Sequence, residues 1–466
     1  MTERFDVVVI GAGAAGLVTA GGCAMLGRSV ALIEAGEMGG DCLNTGCVPS
    51  KALLAAGHAA QAQRTAARFG VATREPAIDW AGVRAHVAGV IETIAPVDSQ
   101  ERFEGLGCTV IRDWARFLDP RTVEVGGRRL TAKWFVIASG ATALVPPIPG
   151  LADTPHWTNE TIFTLAERPE HLIVLGGGPI GVEMAQAHRR LGCAVTLIER
   201  ETILPKDDPE LVPVVRAALL AEGVSLIEGQ PAIAVEPGPT VVLSDGRRIT
   251  GSHLLVALGR APRVASMGLE AAGVTYTPRG ITVDARLRTS QRRIFAIGDC
   301  REGPQFTHAA GYDAGIVIRQ MMFRLPAKAN YSALPWVTYS DPELAHIGLT
   351  EAQARACYGD ALTVLRWPFH ENDRAIAERV PEGLLKVMAV KGRAVGASIV
   401  GPHAGEYIQT WGLMISQRLK LSALAGQIIA YPTFGEVNKR AAGSLFSPML
   451  SNPRVQALVR LLNWLP

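Results

Sequence analysis

Cys42 and Cys47 stand five residues apart in the string Gly39-Gly40-Asp41-Cys42-Leu43-Asn44-Thr45-Gly46-Cys47-Val48-Pro49-Ser50-Lys51. The whole chain carries seven cysteines in 466 residues, too few and too scattered for a secreted disulfide framework. The lone close pair therefore reads as a catalytic dithiol in a reducing compartment, able to relay electrons to an outside substrate. On a regular helix this spacing sets the Cα atoms near or beyond the ~7 Å that a disulfide spans, so either the first turn is distorted or Cys42 precedes the helix. Asn44 is the expected N-cap. That start puts Cys47 in the first turn, where the helix dipole and free amides favour a thiolate, and puts Pro49 where its missing N–H is harmless. Lys51 follows Cys47 on the same helix face, where an ammonium supports the thiolate.

The pair must be positioned by the elements around it, and these repeat. Residues 5–10 form a short apolar run of the buried parallel-strand type. The run feeds Gly11-Ala12-Gly13-Ala14-Ala15-Gly16 and a small-residue helix, and a second strand over 29–33 ends at Glu34. This is the dinucleotide fingerprint: Gly11 for the tight turn, Gly13 for close approach of a pyrophosphate, Gly16 for helix–strand packing and Glu34 for a ribose hydroxyl. The pattern returns as a strand over 171–175, the loop Gly176-Gly177-Gly178-Pro179-Ile180-Gly181, a helix over 182–191 and a strand over 194–198 closing with Glu199. Two dinucleotides are expected. A carboxylate at Glu199 accepts from a free 2′-hydroxyl and repels a 2′-phosphate, which favours NADH; Arg189 and Arg200 nearby keep NADPH as the second candidate.

Composition excludes several classes. A net charge of +3 gives no nucleic-acid footprint, and no run reaches the roughly 20 apolar residues of a membrane span. Residues 7–26 resemble a signal peptide in hydropathy, but an acidic residue precedes them, glycines interrupt them and they hold the nucleotide loop, so a cytoplasmic protein is expected. The length implies three domains.

The dithiol string resembles the active-site segment of the flavin-dependent pyridine nucleotide–disulfide oxidoreductases, the class I family of lipoamide dehydrogenase and mercuric reductase. Ala138-Ser139-Gly140-Ala141 and Leu255-Val256-Ala257-Leu258-Gly259-Arg260-Ala261-Pro262 are similar to its two domain-crossing loops. Thr289-Ser290 and Ile294-Phe295-Ala296-Ile297-Gly298-Asp299 are similar to its second flavin motif. The resemblance spans essentially the full chain and implies an α/β fold with two Rossmann-like dinucleotide-binding domains, for FAD and NAD(P), plus a C-terminal α+β dimerisation domain. The implied domains are 1–150 and a return segment 273–334 for FAD, 151–272 for NAD(P), and 335–466 for the dimer interface. It further implies that Asp299 holds the ribityl chain and that Ser139, Gly140, Gly259 and Arg260 lie in the cofactor set. Cys47 is then the flavin-side cysteine, Cys42 the exchange cysteine, Lys51 the neighbour of the flavin, and Glu183 the partner of Lys51. The other five cysteines, Cys23, Cys108, Cys193, Cys300 and Cys357, read as buried structural sulfur, with Cys300 the one to watch beside Asp299.

Two departures matter. Pro179 stands where many relatives place an aromatic gate for the nicotinamide, and a proline cannot swing. Tyr431-Pro432-Thr433-Phe434-Gly435-Glu436 stands where lipoamide and glutathione reductases carry a His-Pro string with a glutamate five residues after the histidine. Proline and Glu436 remain, but a phenol near 10 is a poor base where imidazole near 6.5 is poised. His308, His370 and His403 have no spacing that supplies a substitute. Mercuric reductases share a C-terminal tyrosine but usually add a terminal cysteine pair, and no cysteine follows Cys357 here. Val455, Leu458, Val459, Leu462 and Leu465 recur at helical spacing, with Arg454 and Arg460 among them. This amphipathic helix is expected at the dimer interface, weak peripheral membrane contact being the alternative.

The expected function is an FAD-dependent NAD(P)H oxidoreductase. It passes electrons from NADH through FAD to a Cys42–Cys47 disulfide and on to a small acceptor: a disulfide, a quinone or a metal ion. The resemblance implies a homodimer in which Glu436 completes the partner's site; no resident metal and no nucleic acid are expected. The alternatives are lipoamide dehydrogenase or mercuric reductase proper and, from another class, a flavin-bearing redox sensor.

Overall fold

The computed structural model describes residues 2–464 and separates into two compact units. The first comprises the chain up to Ala66 together with Ala72–Arg200 and Gly229–Asn330; the second comprises Ala67–Val71, Glu201–Glu228 and the chain from Tyr331 onward.

The first unit opens with strand β1 (Thr2–Ile10), helix α1 (Ala14–Met25) and strand β2 (Val30–Ile33). β1 is central, paired in parallel with β2 on one side and with strand Arg128–Ile137 on the other. Cys108–Ile111 extends the sheet beyond β2, and Ile294–Ala296 pairs in parallel with Arg128–Ile137. Side chains alternate across a strand, so Val7 and Val9 enter one apolar core while Val8 and Ile10 enter the other. A strand covered on both faces must be apolar throughout, which is why this run shows no polar alternation. A second parallel set, Ala194–Ile198, His171–Leu175 and His253–Val256 in that order, carries helix Pro179–Arg190. That helix starts earlier than the expected residue 182, because proline at the first helical position costs no hydrogen bond. Strands Ala141–Ala143 and Arg260–Pro262, from the two strings read as crossing loops, pair antiparallel.

The second unit is built on a five-stranded antiparallel sheet in the order Pro335–Thr338, Glu343–Gly348, Arg393–Gly401, Leu384–Val390, Leu362–Pro368. Helices Gln409–Ser416 and Glu436–Ser444 cover it around the fully buried Trp411, whose indole N–H donates to Asn438 Oδ1 at 2.8 Å. The C-terminal helix is Pro453–Leu462 and buries none of its side chains within this unit; Leu465 lies outside the described residues. Among the described residues, no helix is long and apolar enough to cross a membrane.

Candidate functional site

The dithiol segment folds as two helices. Cys42 lies in the short helix α2 (Gly40–Asn44) and Cys47 is the first residue of helix α3 (Cys47–Thr65). Asn44 does not cap α3, contrary to the sequence expectation. Its side-chain amide donates to Met38 O at 2.9 Å and to Gly40 O at 2.8 Å, closing α2, and Gly46 takes the cap position. A Cβ at Gly46 would lie 2.8 Å from Asp41 O, so the chain can turn there only without a side chain. Cys42 therefore precedes the main helix, which brings its thiol into hydrogen-bonding contact with Cys47. The Cys42 thiol donates to Cys47, and Cys47 is pushed down to about 6. That bond is the largest cause; burial opposes it, and the Thr307 hydroxyl and the Lys51 ammonium add to it. Donating to Cys47, together with burial, pushes the Cys42 thiol up. The exposed sulfur is thus the thiolate and the half-buried one the thiol.

Two further features bear on Cys47. Thr307 Oγ1 lies 3.4 Å from its Sγ and begins helix Thr307–Phe323, whose N-terminus has no side-chain cap. Sequence reading weighed the neighbouring His308, whose ring stacks on Phe306 at 5.2 Å, and passed over Thr307. Lys51 Nζ lies 2.8 Å from Glu183 Oε2; the lysine is part exposed and the glutamate buried.

Both nucleotide loops share one construction. Gly11 and Gly176 have φ of +106° and +107°, and a Cβ would strike Ala138 O at 2.2 Å and Ala257 O at 2.4 Å. A Cβ at Gly16 or Gly181 would strike the carbonyl of Gly11 or Gly176 at 1.8 Å. Gly13 and Gly178 differ: the first would meet only Gly40 Cα, at 3.8 Å, and the second nothing. Protein packing does not demand glycine at these two positions. Each caps a helix with no side-chain hydrogen bond, leaving amides and space for a pyrophosphate. The residues present therefore fit two bound dinucleotides. Glu34 accepts from Ala12 N at 2.6 Å and Gly36 N at 2.7 Å, and Glu199 from Gly177 N at 2.7 Å, so each acid also shapes its own loop.

Asp299 sits in the turn Gly298–Cys300, where burial raises its carboxyl and Arg260 opposes that rise. Arg260 lies 3.7 Å from Asp299 Oδ2 and also pairs with Asp41, next to Cys42. The turn is held from behind by Asp313, which accepts from Gly298 N at 3.1 Å and pairs with Arg301 at 2.8 Å. Neither Asp313 nor Asp41 carries a sequence signal of its own. Ser139 Oγ donates to Arg263 O at 2.7 Å, and Gly140 and Gly259 turn with positive φ on either side of the antiparallel crossing pair. Cys300 is fully buried, contacts Ile137 O and Ile297 O at 3.4 and 3.3 Å, and is pushed up to about 11 by burial, as an inert sulfur should be. Cys23, Cys108 and Cys193 are buried too, but Cys357 is exposed near the end of helix Glu351–Tyr358, which corrects its reading as core sulfur.

In the second unit, Tyr431 is 66% exposed and its hydroxyl donates to Asp373 Oδ2 at 2.5 Å. Glu436 pairs with Arg440 at 2.8 Å across one helical turn. His403 lies beside Phe434, and His370 is exposed.

Two nucleotide folds serving one thiol–thiolate pair define a nucleotide-driven dithiol oxidoreductase. Residues 5–314 match the family described as pyridine nucleotide-disulphide oxidoreductase, and residues 334–442 match its dimerisation domain. The chain belongs to this family, whose members bind FAD and NAD(P)H, and the dimerisation domain implies a homodimer. It is 36% identical over 453 residues to mercuric reductase from Shigella flexneri, covering 94% of this chain and 80% of that one. It is 33% identical over 452 residues to dihydrolipoyl dehydrogenase from Geobacillus stearothermophilus, covering 94% and 95%. Among solved structures it is similar to the HOCl-induced flavoprotein disulfide reductase RclA from Escherichia coli, with a TM-score of 0.84 and 29% identity over 94% of this chain and 99% of that one. The Cu(II) complex of that protein matches with a TM-score of 0.83 and 29% identity over 93% and 99%.

Proposed function

We propose that this chain takes electrons from NADH, passes them by way of FAD to the Cys42–Cys47 pair, and delivers them from Cys42 to a small acceptor. The observation that carries this reading is the asymmetry of the pair: Cys47 is pushed down to about 6 and Cys42 is pushed up, so one sulfur is held as a thiolate and the other keeps its proton. When bound, FAD supplies the two-electron step between nicotinamide and sulfur. The amides above Gly13, with Glu34, Arg260 and Asp299, would hold it, and those above Gly178, with Glu199, would hold the nicotinamide dinucleotide. Lys51, fixed by Glu183, stabilises negative charge beside Cys47. Once the pair is reduced, Cys42 becomes the nucleophile for an acceptor by passing its proton to the Cys47 thiolate, to which it already donates. The homodimer with Glu436 completing the partner's site, and the three domains as bounded above, belong to the same proposal.

Glu199 supports NADH over NADPH. For the acceptor, the neighbour captured with Cu(II) supports metal ions alongside disulfides and quinones, with Cys42 and Cys47 as the soft ligands. The test is anaerobic reduction of the purified holoenzyme by NADH. A long-wavelength thiolate-to-flavin absorption band should appear, and Cys47→Ala should abolish it while FAD stays bound. A wild-type enzyme without the band would refute the relay. A panel of disulfides, quinones and Cu(II), with NADH and NADPH side by side, then identifies the acceptor.

A further inference from the structure

After Glu436 the chain carries Lys439, Arg440, Arg454 and Arg460 and not one acid, so the whole positive excess of a chain with net charge +3 sits in its last thirty residues. Arg440 turns back to pair with Glu436; Arg454 and Arg460 lie on the final helix. The match to the dimerisation domain stops at residue 442, and beyond it the backbone forms helix Ser447–Leu450 and then helix Pro453–Leu462. The second start is encoded locally. Asn452 Oδ1 accepts from Arg454 N at 2.9 Å as the N-cap, and Pro453 takes the first helical position, where it costs no hydrogen bond. Yet neither helix buries a side chain within its unit. Leu458, Leu461 and Leu462 are exposed, Leu450 is 78% exposed, and Trp464 at the end is 90% exposed. A helix of ten residues is marginal in water on its own, so this one needs a surface to lie on. At 100° per residue Val455, Leu458, Val459 and Leu462 share one face, while Gln456 and Arg460 fall on the other.

We propose that residues 447–464 are a lipid-binding segment that lays each copy of this chain on an anionic bilayer surface. The leucine face enters the boundary between headgroups and acyl chains, Trp464 stands at headgroup level, and the arginines meet lipid phosphates. Among the described residues no helix is long and apolar enough to cross a membrane, so the contact is peripheral. Charge decides between a bilayer and a second copy of this chain as the occupant. A second copy would cover the apolar face but gives no reason to exclude acids from the opposite face and from the flanking residues. An anionic surface selects against acids on every side of the segment. A homodimer presents the segment twice, and the two contacts reinforce each other.

The test is co-sedimentation of the FAD-loaded protein with sucrose-loaded vesicles of phosphatidylcholine containing about 30% phosphatidylglycerol, and with vesicles of phosphatidylcholine alone. The wild type should bind the anionic vesicles ~10-fold or more tightly than the neutral ones, and added salt should weaken that binding. Arg454→Gln combined with Arg460→Gln should weaken binding to the anionic vesicles by ~10-fold or more. Leu458→Asp combined with Leu462→Asp should abolish sedimentation with both vesicles at wild-type FAD content, since neither side chain is buried. Trp464 emission, taken as the difference from Trp464→Phe, should be quenched by lipids brominated on their acyl chains. A wild type that stays in the supernatant with anionic vesicles, an arginine variant that binds them as tightly as wild type, or a Trp464 that bound lipid leaves unquenched would overturn the proposal. If the leucine variant turns a lipid-free dimer into a monomer in sedimentation equilibrium, the apolar face belongs to a second copy and the proposal is wrong.

Discussion

Replacing Thr307 by valine removes one hydroxyl and keeps the side chain's shape, so it isolates the contact that reaches Cys47 Sγ at 3.4 Å. With Cys47 pushed down to about 6, ~90% of it is thiolate at pH 7, against about 3% for a free cysteine near 8.5. A hydrogen bond to an ionised group contributes about 1.5–3 kcal/mol, and because Cys47 is exposed to solvent the figure is discounted to about 1 kcal/mol, which moves a midpoint by ~0.7. Thr307→Val should therefore titrate near ~6.7, leaving about two-thirds thiolate at pH 7. The assay is a pH titration of the long-wavelength band in anaerobic, NADH-reduced holoenzyme. Since the native thiol titrates below its unfolded value, the reduced protein gains stability as pH rises from about 6 toward ~8.5 and loses it as pH falls through about 6. The variant shortens that window from its lower end. An unmoved midpoint in a variant that keeps its FAD and its melting temperature would refute the argument, leaving Cys42 and Lys51 as sufficient causes.

The glycine loops give a contrasting pair. Gly13→Ala has room for its methyl and should fold as wild type yet lose FAD on gel filtration; Gly16→Ala drives a methyl to 1.8 Å from Gly11 O and should fail to accumulate as folded protein at all. Lys51→Met leaves the buried Glu183 without its lysine and should cost about 1–2 kcal/mol in urea unfolding, while shifting the thiolate midpoint upward. Asp313→Ala takes the paired carboxylate from the buried Arg301 and frees Gly298, which should cost ~3 kcal/mol and release FAD, measured by thermal melts and by flavin fluorescence of the filtrate.

What was legible from the residues alone was whatever is encoded locally. A glycine loop between a buried strand and a helix, with an acid ending the next strand, sets its own geometry, because the turn, the cap and the packing glycine all fall within one βαβ unit. The sulfur pair likewise announced itself through spacing and flanking residues. The helix start was misplaced by two residues, because Asn44 had two competing uses and closing α2 won over capping α3. Tertiary structure alone decided which groups surround those sulfurs. Thr307 is 260 positions from Cys47, Arg260 reaches back to Asp41, and Asp373 meets Tyr431 across 58 residues. None of these pairings has a periodicity or a motif, because each depends on how separate strands and helices pack, and packing is fixed by the shape and burial of the whole unit rather than by any neighbour in the chain. The sequence determined that two sulfurs and two nucleotide loops would exist and pointed to Cys47 as the thiolate; the fold decided which distant groups, Thr307 among them, stand beside it.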